Sequence, residues 1–524
     1  MKKLRLLVLV LISGCICLSG FADVKLPAII SDNMALQQNA EVNIWGWADA
    51  GEKVTVEANW GNTLPLVGKF FPKKVTAETV ADEQGNWSLK INTPKAGGPY
   101  SLKVKGNNEI TVSNILIGEL WLCSGQSNMS MPMGGWDKQP IIGGPEDIAN
   151  SANDKIRLFT VDRATADEPL KDVSGKWVLC NPETVKAFSA VGYYFGRKVQ
   201  NDTGLPVGLI SSNWGGTLAE AWTREEFIAQ DDQLNPLIPK FSKSRSQWEE
   251  AATKAKAEGK PAPRCPGGSR PQDKPATLYN AMIAPITNMT IKGAIWYQGE
   301  SNAGKSYQYR RLFPVMINNW RCDFDNPDMP FYFVQLANYY SHKPGQEVEV
   351  YSGEPRDHGW AELREAQLMT CDHKNNGMAV IIDIGEANNI HPGNKKDVGE
   401  RLARWALVKD YGFDMPFSGP LYAGYFVEGD KIRVKFKYAD NGLMTKGDKP
   451  VGFAIAGSDR KFVWADAVID GSDIVVSSDK VKEPVAVRYA WDIYPDNDLY
   501  NAEGLPASPF RTDDWNGETY GRND

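Results

Sequence analysis

Between positions 116 and 415 the chain alternates short, continuously apolar segments with amphipathic ones. The apolar segments, each predicted to be a strand, are Leu116–Cys123, Ile156–Val161, Val207–Ser211, Gly293–Tyr297, Phe331–Leu336 and Met378–Asp383. Helical periodicity marks the segments Ala190–Gln200, Tyr307–Asn319, Trp360–Met369 and Lys395–Lys409. Strands covered on both faces are apolar throughout, and helices connect them when they run parallel. The pattern predicts an α/β domain with a parallel sheet and flanking helices, whose ligand lies beyond the carboxyl ends of the strands.

Two regions of short alternating strands flank this domain, as expected for a chain of 524 residues, which is too long for one core. Residues 23–115 predict a β-sandwich domain and residues 416–524 a second, C-terminal all-β region. Residues 241–275 interrupt the α/β order with a charged helix and a loop rich in proline and glycine. We interpret this insertion as solvated, with a flap over the site as the alternative.

Residues 1–22 have the features of an export signal: a basic start, an apolar stretch and small residues before position 23. They predict a periplasmic or extracellular protein without a transmembrane segment. The alternative is a lipoprotein anchored at Cys15, but the apolar run continues beyond that residue.

The five cysteines that follow are widely spaced and indicate neither a disulfide framework nor a zinc site. The net charge of −7, with no basic block, gives no indication of a nucleic-acid partner.

Polar clusters, three of which contain glycine, follow four of the predicted strands. They comprise residues 125–129, 213–217, 298–302 and 389–392. A turn or a packing role accounts for any one cluster alone. Because the carboxyl ends of parallel strands meet at one edge of a sheet, we expect the four clusters to lie together.

These clusters contain the groups that acyl transfer needs. Ser127, in a Gly-x-Ser turn between a strand and a helix, is the candidate nucleophile. His391 is the candidate base, because it alone of the four histidines follows a strand and precedes an amphipathic helix. The candidate oxyanion donors are the backbone N–H of Ser127, a backbone N–H at Gly215 or Gly216, and a side-chain amide of Gln298 or Asn302.

The chain resembles the sialate O-acetylesterases and related carbohydrate acetylesterases of the SGNH (GDSL-like) hydrolase superfamily. The resemblance runs over nearly all of the chain after residue 22 and is carried by residues 31–38, 45–47, 118–129, 215–222, 296–302, 390–395, 398–402 and 501–510. It implies an SGNH-type sheet, Ser127 as nucleophile, His391 as base, and an oxyanion pocket formed by the Gly216 and Gln298 clusters.

The chain departs from the superfamily where a carboxylate usually precedes the histidine. The positions three and two before His391 are Asn388 and Asn389. Exchanging the triad Asp for Asn in a serine protease lowered the rate by about 10⁴. We therefore hypothesise a Ser–His dyad with an uncharged orienting group, with Asp383 and Glu386 as the alternatives that would complete a triad.

Two further charged residues are candidates. Glu300 lies among the predicted oxyanion donors and is expected to hold their amides. Arg364 matches the fork geometry that binds a carboxylate such as that of sialic acid, and a structural ion pair is the alternative.

The sequence therefore predicts an exported serine esterase that removes O-acetyl groups from carbohydrate, foremost from sialic acid. The alternatives are an acetylxylan-type esterase and a non-catalytic glycan-binding protein. No metal or organic cofactor is expected, the predicted partner is an O-acetylated sugar, and the oligomeric state stays open.

Overall fold

A computed structural model describes residues 23–61, 63–66, 69–72, 74–340 and 353–522. The predicted signal peptide, residues 1–22, lies outside this part of the chain. The strands are β1 Ala35–Gln37, β2 Glu41–Trp47, β3 Lys53–Ala58, β4 Thr63–Leu66, β5 Lys69–Pro72, β6 Val75–Val80, β7 Asn86–Asn92, β8 Gly97–Lys105, β9 Glu109–Gly125, β10 Asn153–Thr160, β11 Trp177–Cys180, β12 Val207–Asn213, β13 Gly293–Tyr297, β14 Phe331–Val334, β15 Asn376–Ala379, β16 Leu421–Glu428, β17 Lys431–Lys437, β18 Leu443–Thr445, β19 Phe453–Ala456, β20 Phe462–Trp464, β21 Asp466–Asp470, β22 Asp473–Ser477, β23 Ala486–Tyr489, β24 Leu499–Asn501 and β25 Phe510–Arg511. The helices are α1 Ser127–Ser130, α2 Gly144–Ala149, α3 Pro182–Val185, α4 Ala190–Thr203, α5 Glu225–Ala229, α6 Leu237–Ala257, α7 Ser306–Asp323, α8 Gly359–Cys371 and α9 Lys395–Lys409.

The predicted parallel sheet forms the centre of the molecule. Its six strands lie in the order β10-β12-β9-β13-β14-β15, and every neighbouring pair is parallel. The sheet as a whole is mixed, because β11 joins the outer edge of β10 and β8 joins β9, both antiparallel. The prediction of an α/β fold is confirmed, with a large mixed sheet in place of a purely parallel one.

Strand β9 crosses the predicted domain boundary between residues 115 and 116. Its first half pairs with β8, and its second half pairs with β12 and β13. Burial along β9 changes from an alternating pattern to continuous burial. The change in sequence pattern near residue 116 suggested a domain boundary. It marks the point along β9 at which both faces of this strand become covered. The N-terminal β region and the α/β domain share this strand.

The last predicted strand of the central sheet is shorter and lies earlier than expected. Strand β15 ends at Ala379, and residues 382–384 form a 3₁₀ turn. Ile381 and Ile382 are buried in this turn, so the apolar run continues after the strand has ended. Asp383 consequently lies in the turn and not in the sheet.

The helices cover the sheet, with α4 packed on α9 and α7 packed on α8. Four tryptophans, Trp121, Trp222, Trp296 and Trp320, are among the largest fully buried side chains. Trp296 makes edge contacts with Trp222 and Trp320 at centroid separations of 6.1 and 5.7 Å. Many of the tryptophans of this chain thus pack the core and do not form a sugar-binding surface.

The C-terminal region contains two four-stranded antiparallel sheets, β16-β17-β22-β21 and β20-β19-β23-β25. This confirms the predicted all-β character. In the predicted insertion, α6 leads into a loop in which Arg270 donates to the carbonyl of Gly216, in the segment that follows β12. All five cysteines of the described part are free thiols. No helix within the described ranges has the length and apolar character that crossing a bilayer requires.

Candidate active site

Three of the four polar clusters begin side by side at one edge of the central sheet. Gly125, the last residue of β9, is the register partner of both Asn213 and Tyr297, which end β12 and β13. A side chain at Gly125 would not fit, because its Cβ would lie 2.2 Å from the carbonyl oxygen of Tyr297. The backbone N–H of Gln126 donates to that same carbonyl at 2.9 Å. The close approach of β13 therefore fixes where the chain leaves β9.

Ser127 is half-buried at the first position of α1, immediately beyond this edge. Gly215, in the loop that follows β12, packs directly against it. A Cβ built on Gly215 would lie 3.2 Å from the Cβ of Ser127 and 3.4 Å from its Cα. The glycine thus allows the backbone of the second cluster to contact the predicted nucleophile.

The fourth cluster reaches the same edge through the side chain of Asn128. Its Nδ2 donates to the backbone carbonyl of Ile390 at 3.0 Å and to Glu300 Oε1 at 2.5 Å. Its Oδ1 accepts from Lys395 Nζ at 2.5 Å. The residue after Ser127 is therefore bonded to the residue before His391, although 262 positions separate them in sequence. The two predicted catalytic segments lie together.

The imidazole of His391 is half-buried beside the indole of Trp136, with ring centroids 4.9 Å apart in an edge contact. Its Nδ1 is buried and has no hydrogen-bond partner among the described residues. Burial, with the nearby charge of Lys395 as a second cause, lowers the pKa of His391 to about 4. The ring is therefore held in its neutral form, which is the form that accepts a proton.

Each carboxylate considered for a triad has other partners. Asp383 pairs with Arg401 through two contacts of 2.6 and 2.9 Å. Glu386 accepts from the side chain of Asn389 and from the backbone N–H of Gly393, at 3.0 and 2.6 Å. Neither contacts the imidazole, which supports the dyad hypothesis over the triad.

The predicted orienting amides do not contact the ring either. Asn388 is exposed. Asn389 Oδ1 accepts from the backbone N–H of His391 at 3.0 Å, so it orients the main chain and not the imidazole. In the described part of the chain, the imidazole makes an edge contact with the ring of Trp136, and its Nδ1 forms no hydrogen bond.

The two amides predicted as oxyanion donors have different partners in the structure. Gln298 Nε2 donates to the carbonyl of Thr217 and to Asn302 Oδ1, at 3.2 and 2.6 Å, which uses both of its N–H groups. Asn302 Nδ2 donates to Glu220 Oε2 at 3.0 Å, and both Gln298 and Asn302 are buried. These hydrogen bonds hold the loop after β12 in place. Because both side chains are buried and engaged in them, they are not available to bind an oxyanion.

The backbone of the loop after β12, residues 214–217, is held by hydrogen bonds to its carbonyl groups, which leave two of its N–H groups without an acceptor. The carbonyls of Trp214, Gly216 and Thr217 accept from Thr217 Oγ1, Arg270 Nη2 and Gln298 Nε2. Gly216 has a φ of 73°, in the left-handed region that glycine favours. In the described structure the N–H groups of Gly215 and Gly216 donate to no protein acceptor. Successive backbone N–H groups of this kind form an anion-binding concavity.

Glu300 holds amides, as predicted, but not those of Gln298 and Asn302. It accepts from the side chains of Gln126 and Asn128, which flank Ser127. Burial raises the pKa of Glu300, against the opposing effect of its hydrogen bonds. Burial also lowers the pKa of Lys395 to about 7, against the opposing charges of Glu300 and Glu386. Lys395 is not among the site residues predicted from the sequence, although it lies four residues after His391, in the segment 390–395 that carries the family resemblance.

Arg364 is fully buried and therefore does not reach a substrate. Its guanidinium donates to the carbonyls of Leu336, Ala337, Asp492 and Ile493 and to Asn338 Oδ1. Because two of these acceptors belong to the C-terminal region, Arg364 ties that region to helix α8. The carboxylate-binding role considered for Arg364 is wrong. Its role is structural, as in the alternative, but its partners are carbonyl groups and not the carboxylate of an ion pair.

Known proteins are similar to this chain in sequence and in architecture. The family model for sialic acid-specific acetylesterases among the carbohydrate esterases matches residues 263–407. The human sialate O-acetylesterase is 30% identical over 93% of this chain and 92% of its own length, and the mouse sialate O-acetylesterase is 28% identical over 96% and 97%. A carbohydrate acetylesterase from Xanthomonas citri, known from its crystal structure, is 34% identical, with a TM-score of 0.77 over 94% of this chain and 100% of that one. The chain therefore belongs to the sialate O-acetylesterase family and is a carboxylic ester hydrolase.

Proposed function

We propose that this chain hydrolyses acetyl esters on the hydroxyl groups of sialic acid, with Ser127 as nucleophile and His391 as general base. The observation that carries the assignment of the site is the pair of hydrogen bonds from Asn128 to Glu300 and to the carbonyl of Ile390. They bring the segments of the two residues together at the carboxyl edge of the parallel sheet. The substrate assignment is supported by the family and by its curated relatives.

In the first half of the reaction, Ser127 Oγ attacks the acetyl carbonyl while His391 accepts its proton. The negative charge that develops on the carbonyl oxygen is bound by the backbone N–H of Ser127 and by those of Gly215 and Gly216. Backbone donors held in place before the reaction are effective because they need no reorganisation as the charge forms, and each is worth roughly 3–4 kcal/mol of barrier. The sugar oxygen leaves with the proton from His391, and the acetyl group remains on Ser127.

In the second half, water attacks the carbonyl carbon of the acetyl-serine while His391 again accepts a proton, and acetate leaves as that proton passes to Ser127 Oγ. A base whose pKa is lowered to about 4 holds a proton weakly. It is therefore suited to protonating the leaving sugar oxygen, and it accepts the serine proton less readily than an imidazole paired with a carboxylate would. We infer a Ser–His dyad in which Glu300 and Lys395 position the segments on either side of the pair.

We further propose that the α/β domain is of the SGNH-hydrolase type and that residues 1–22 direct export. The first part is supported by a serine that follows a strand of the parallel sheet and a histidine that precedes the last helix of the domain. The second is supported by the basic and apolar pattern of the first residues.

The test is release of acetate from a panel of O-acetylated sialic acids and acetylated xylo-oligosaccharides. We expect turnover of the sialic acids by the wild type and its loss in Ser127→Ala and His391→Ala. The controls Ser242→Ala and His373→Ala change exposed residues outside the site. Retention of activity in Ser127→Ala would refute the assigned nucleophile, and a preference for the xylo-oligosaccharides would refute the substrate.

A further inference from the structure

The loop after β12, residues 214–217, extends from the predicted nucleophile to a neighbouring part of the surface that takes no part in the reaction itself. Gly215 contacts Ser127, and Trp214 precedes it with a half-buried indole. Sialic acid carries its carboxylate and its acetyl ester on different carbon atoms. A cation that binds the carboxylate of this sugar would therefore lie at some distance from the serine, in a position that solvent can reach.

Two arginines near this edge are already used by the protein. Arg364 is fully buried and bonded to backbone carbonyls. Arg270 pairs with the buried carboxylate of Asp273 through contacts of 2.7 Å from both Nε and Nη2. Its Nη2 also donates to the carbonyl of Gly216, so this guanidinium is neutralised and helps to position the loop.

Arg163 differs from both. It follows β10, the strand next to β12, and its guanidinium carbon lies 5.8 Å from the centroid of the Trp214 ring. The residue is exposed, and within the described part of the chain it forms no ion pair and no hydrogen bond. Stacking on an indole restricts the guanidinium while leaving its edge, which carries the N–H donors, open to solvent.

We propose that Arg163, held on Trp214, binds the carboxylate of the sialic acid whose acetyl group reaches Ser127. This inference rests on the proposed function. A planar guanidinium binds a carboxylate through two parallel hydrogen bonds, which fixes the orientation of the sugar as well as its charge. Arg163 is then a specificity-determining residue that lies outside the reacting groups.

The experiment compares O-acetylated N-acetylneuraminic acid with its C1 methyl ester, which lacks the charge, and with 4-nitrophenyl acetate. We expect Arg163→Gln to lower kcat/KM for the free acid by about 10- to 100-fold, the range for a hydrogen-bonded charge pair. The two uncharged substrates should change by less than about threefold, since they present no carboxylate to Arg163. Arg163→Lys should retain part of the preference for the free acid, because it keeps the charge and loses the fork.

The matched control is Arg460→Gln, because Arg460 is also exposed and stacks on a tryptophan, Trp515, at 5.2 Å, but lies in the C-terminal region. An equal loss on all three substrates, or no loss on the free acid, would overturn the assignment of Arg163 and leave the esterase proposal standing. A wild type that cleaves 4-nitrophenyl acetate but not the acetylated sialic acid would overturn the proposed substrate and this inference together.

Discussion

The contact between Gly215 and Ser127 gives a prediction whose size follows from the geometry. In Gly215→Ala the new Cβ would lie 3.2 Å from the Cβ of Ser127 and 3.4 Å from its Cα. Carbon atoms prefer separations of about 3.5–4.0 Å, so the two segments must move apart by roughly 0.3–0.8 Å. The backbone at Gly215 is not in the left-handed region, so alanine adds no conformational strain there.

The expected loss is catalytic and not structural. If a displacement of 1 Å costs about 10²-fold in rate, a shift of roughly 0.3–0.8 Å costs about 4- to 40-fold in kcat. The free energy of unfolding should change by less than about 1.5 kcal/mol, because one tight contact is partly offset by the lower entropy of the unfolded alanine chain.

The assay is steady-state hydrolysis of 4-nitrophenyl acetate together with thermal unfolding of both proteins. The matched control is Gly304→Ala, because Gly304 is exposed and a Cβ built there meets no atom within 4 Å. A Gly215→Ala enzyme whose kcat stays within about twofold of the wild type would refute the reasoning that this glycine positions the serine.

Four further predictions concern the histidine and its surroundings. Asp383→Asn should destabilise the fold by about 1–3 kcal/mol, because it weakens a largely buried pair with Arg401, while kcat stays within about threefold; a fall approaching 10⁴-fold would indicate a triad. Since the pKa of His391 is lowered to about 4, kcat/KM should stay level as the pH falls toward 5 and decline with a midpoint near 4, and a midpoint near the ordinary value of 6.5 would contradict the buried, neutral ring. The same shift makes the folded state bind the proton less readily than the unfolded chain, so the stability due to His391 is present above pH 6.5 and is lost as the pH falls toward 4 in an unfolding series. Lys395→Met should raise the midpoint of the acid limb, because it removes a charge that disfavours imidazolium, whereas the exposed neighbour in Lys396→Met should leave it in place.

The sequence was sufficient for those parts of the structure that depend on local pattern. All six predicted strands of the central sheet are present, and α9 has the predicted bounds, because continuous burial and helical periodicity are properties of neighbouring residues. Ser127 and His391 were selected from the same pattern, as the residues that follow strand ends. The end of β9 places Ser127 at the edge of the sheet, whereas His391 lies twelve residues beyond the end of β15 and its segment is held there by the hydrogen bond from Asn128 to Ile390.

What the tertiary structure decided is which partner each polar group finds. Gln298 and Asn302 carry the amide N–H groups expected of oxyanion donors, but both side chains are buried and donate to Thr217 and Glu220. Arg364 has the chemistry of a carboxylate ligand, but it is enclosed by carbonyl groups, whereas the exposed Arg163 has no hydrogen-bond acceptor among the described residues. The physical reason is that a hydrogen bond depends on distance and desolvation between segments that lie far apart in sequence. Residue type determines what a side chain can bind, and only the packing of the folded chain determines what it meets.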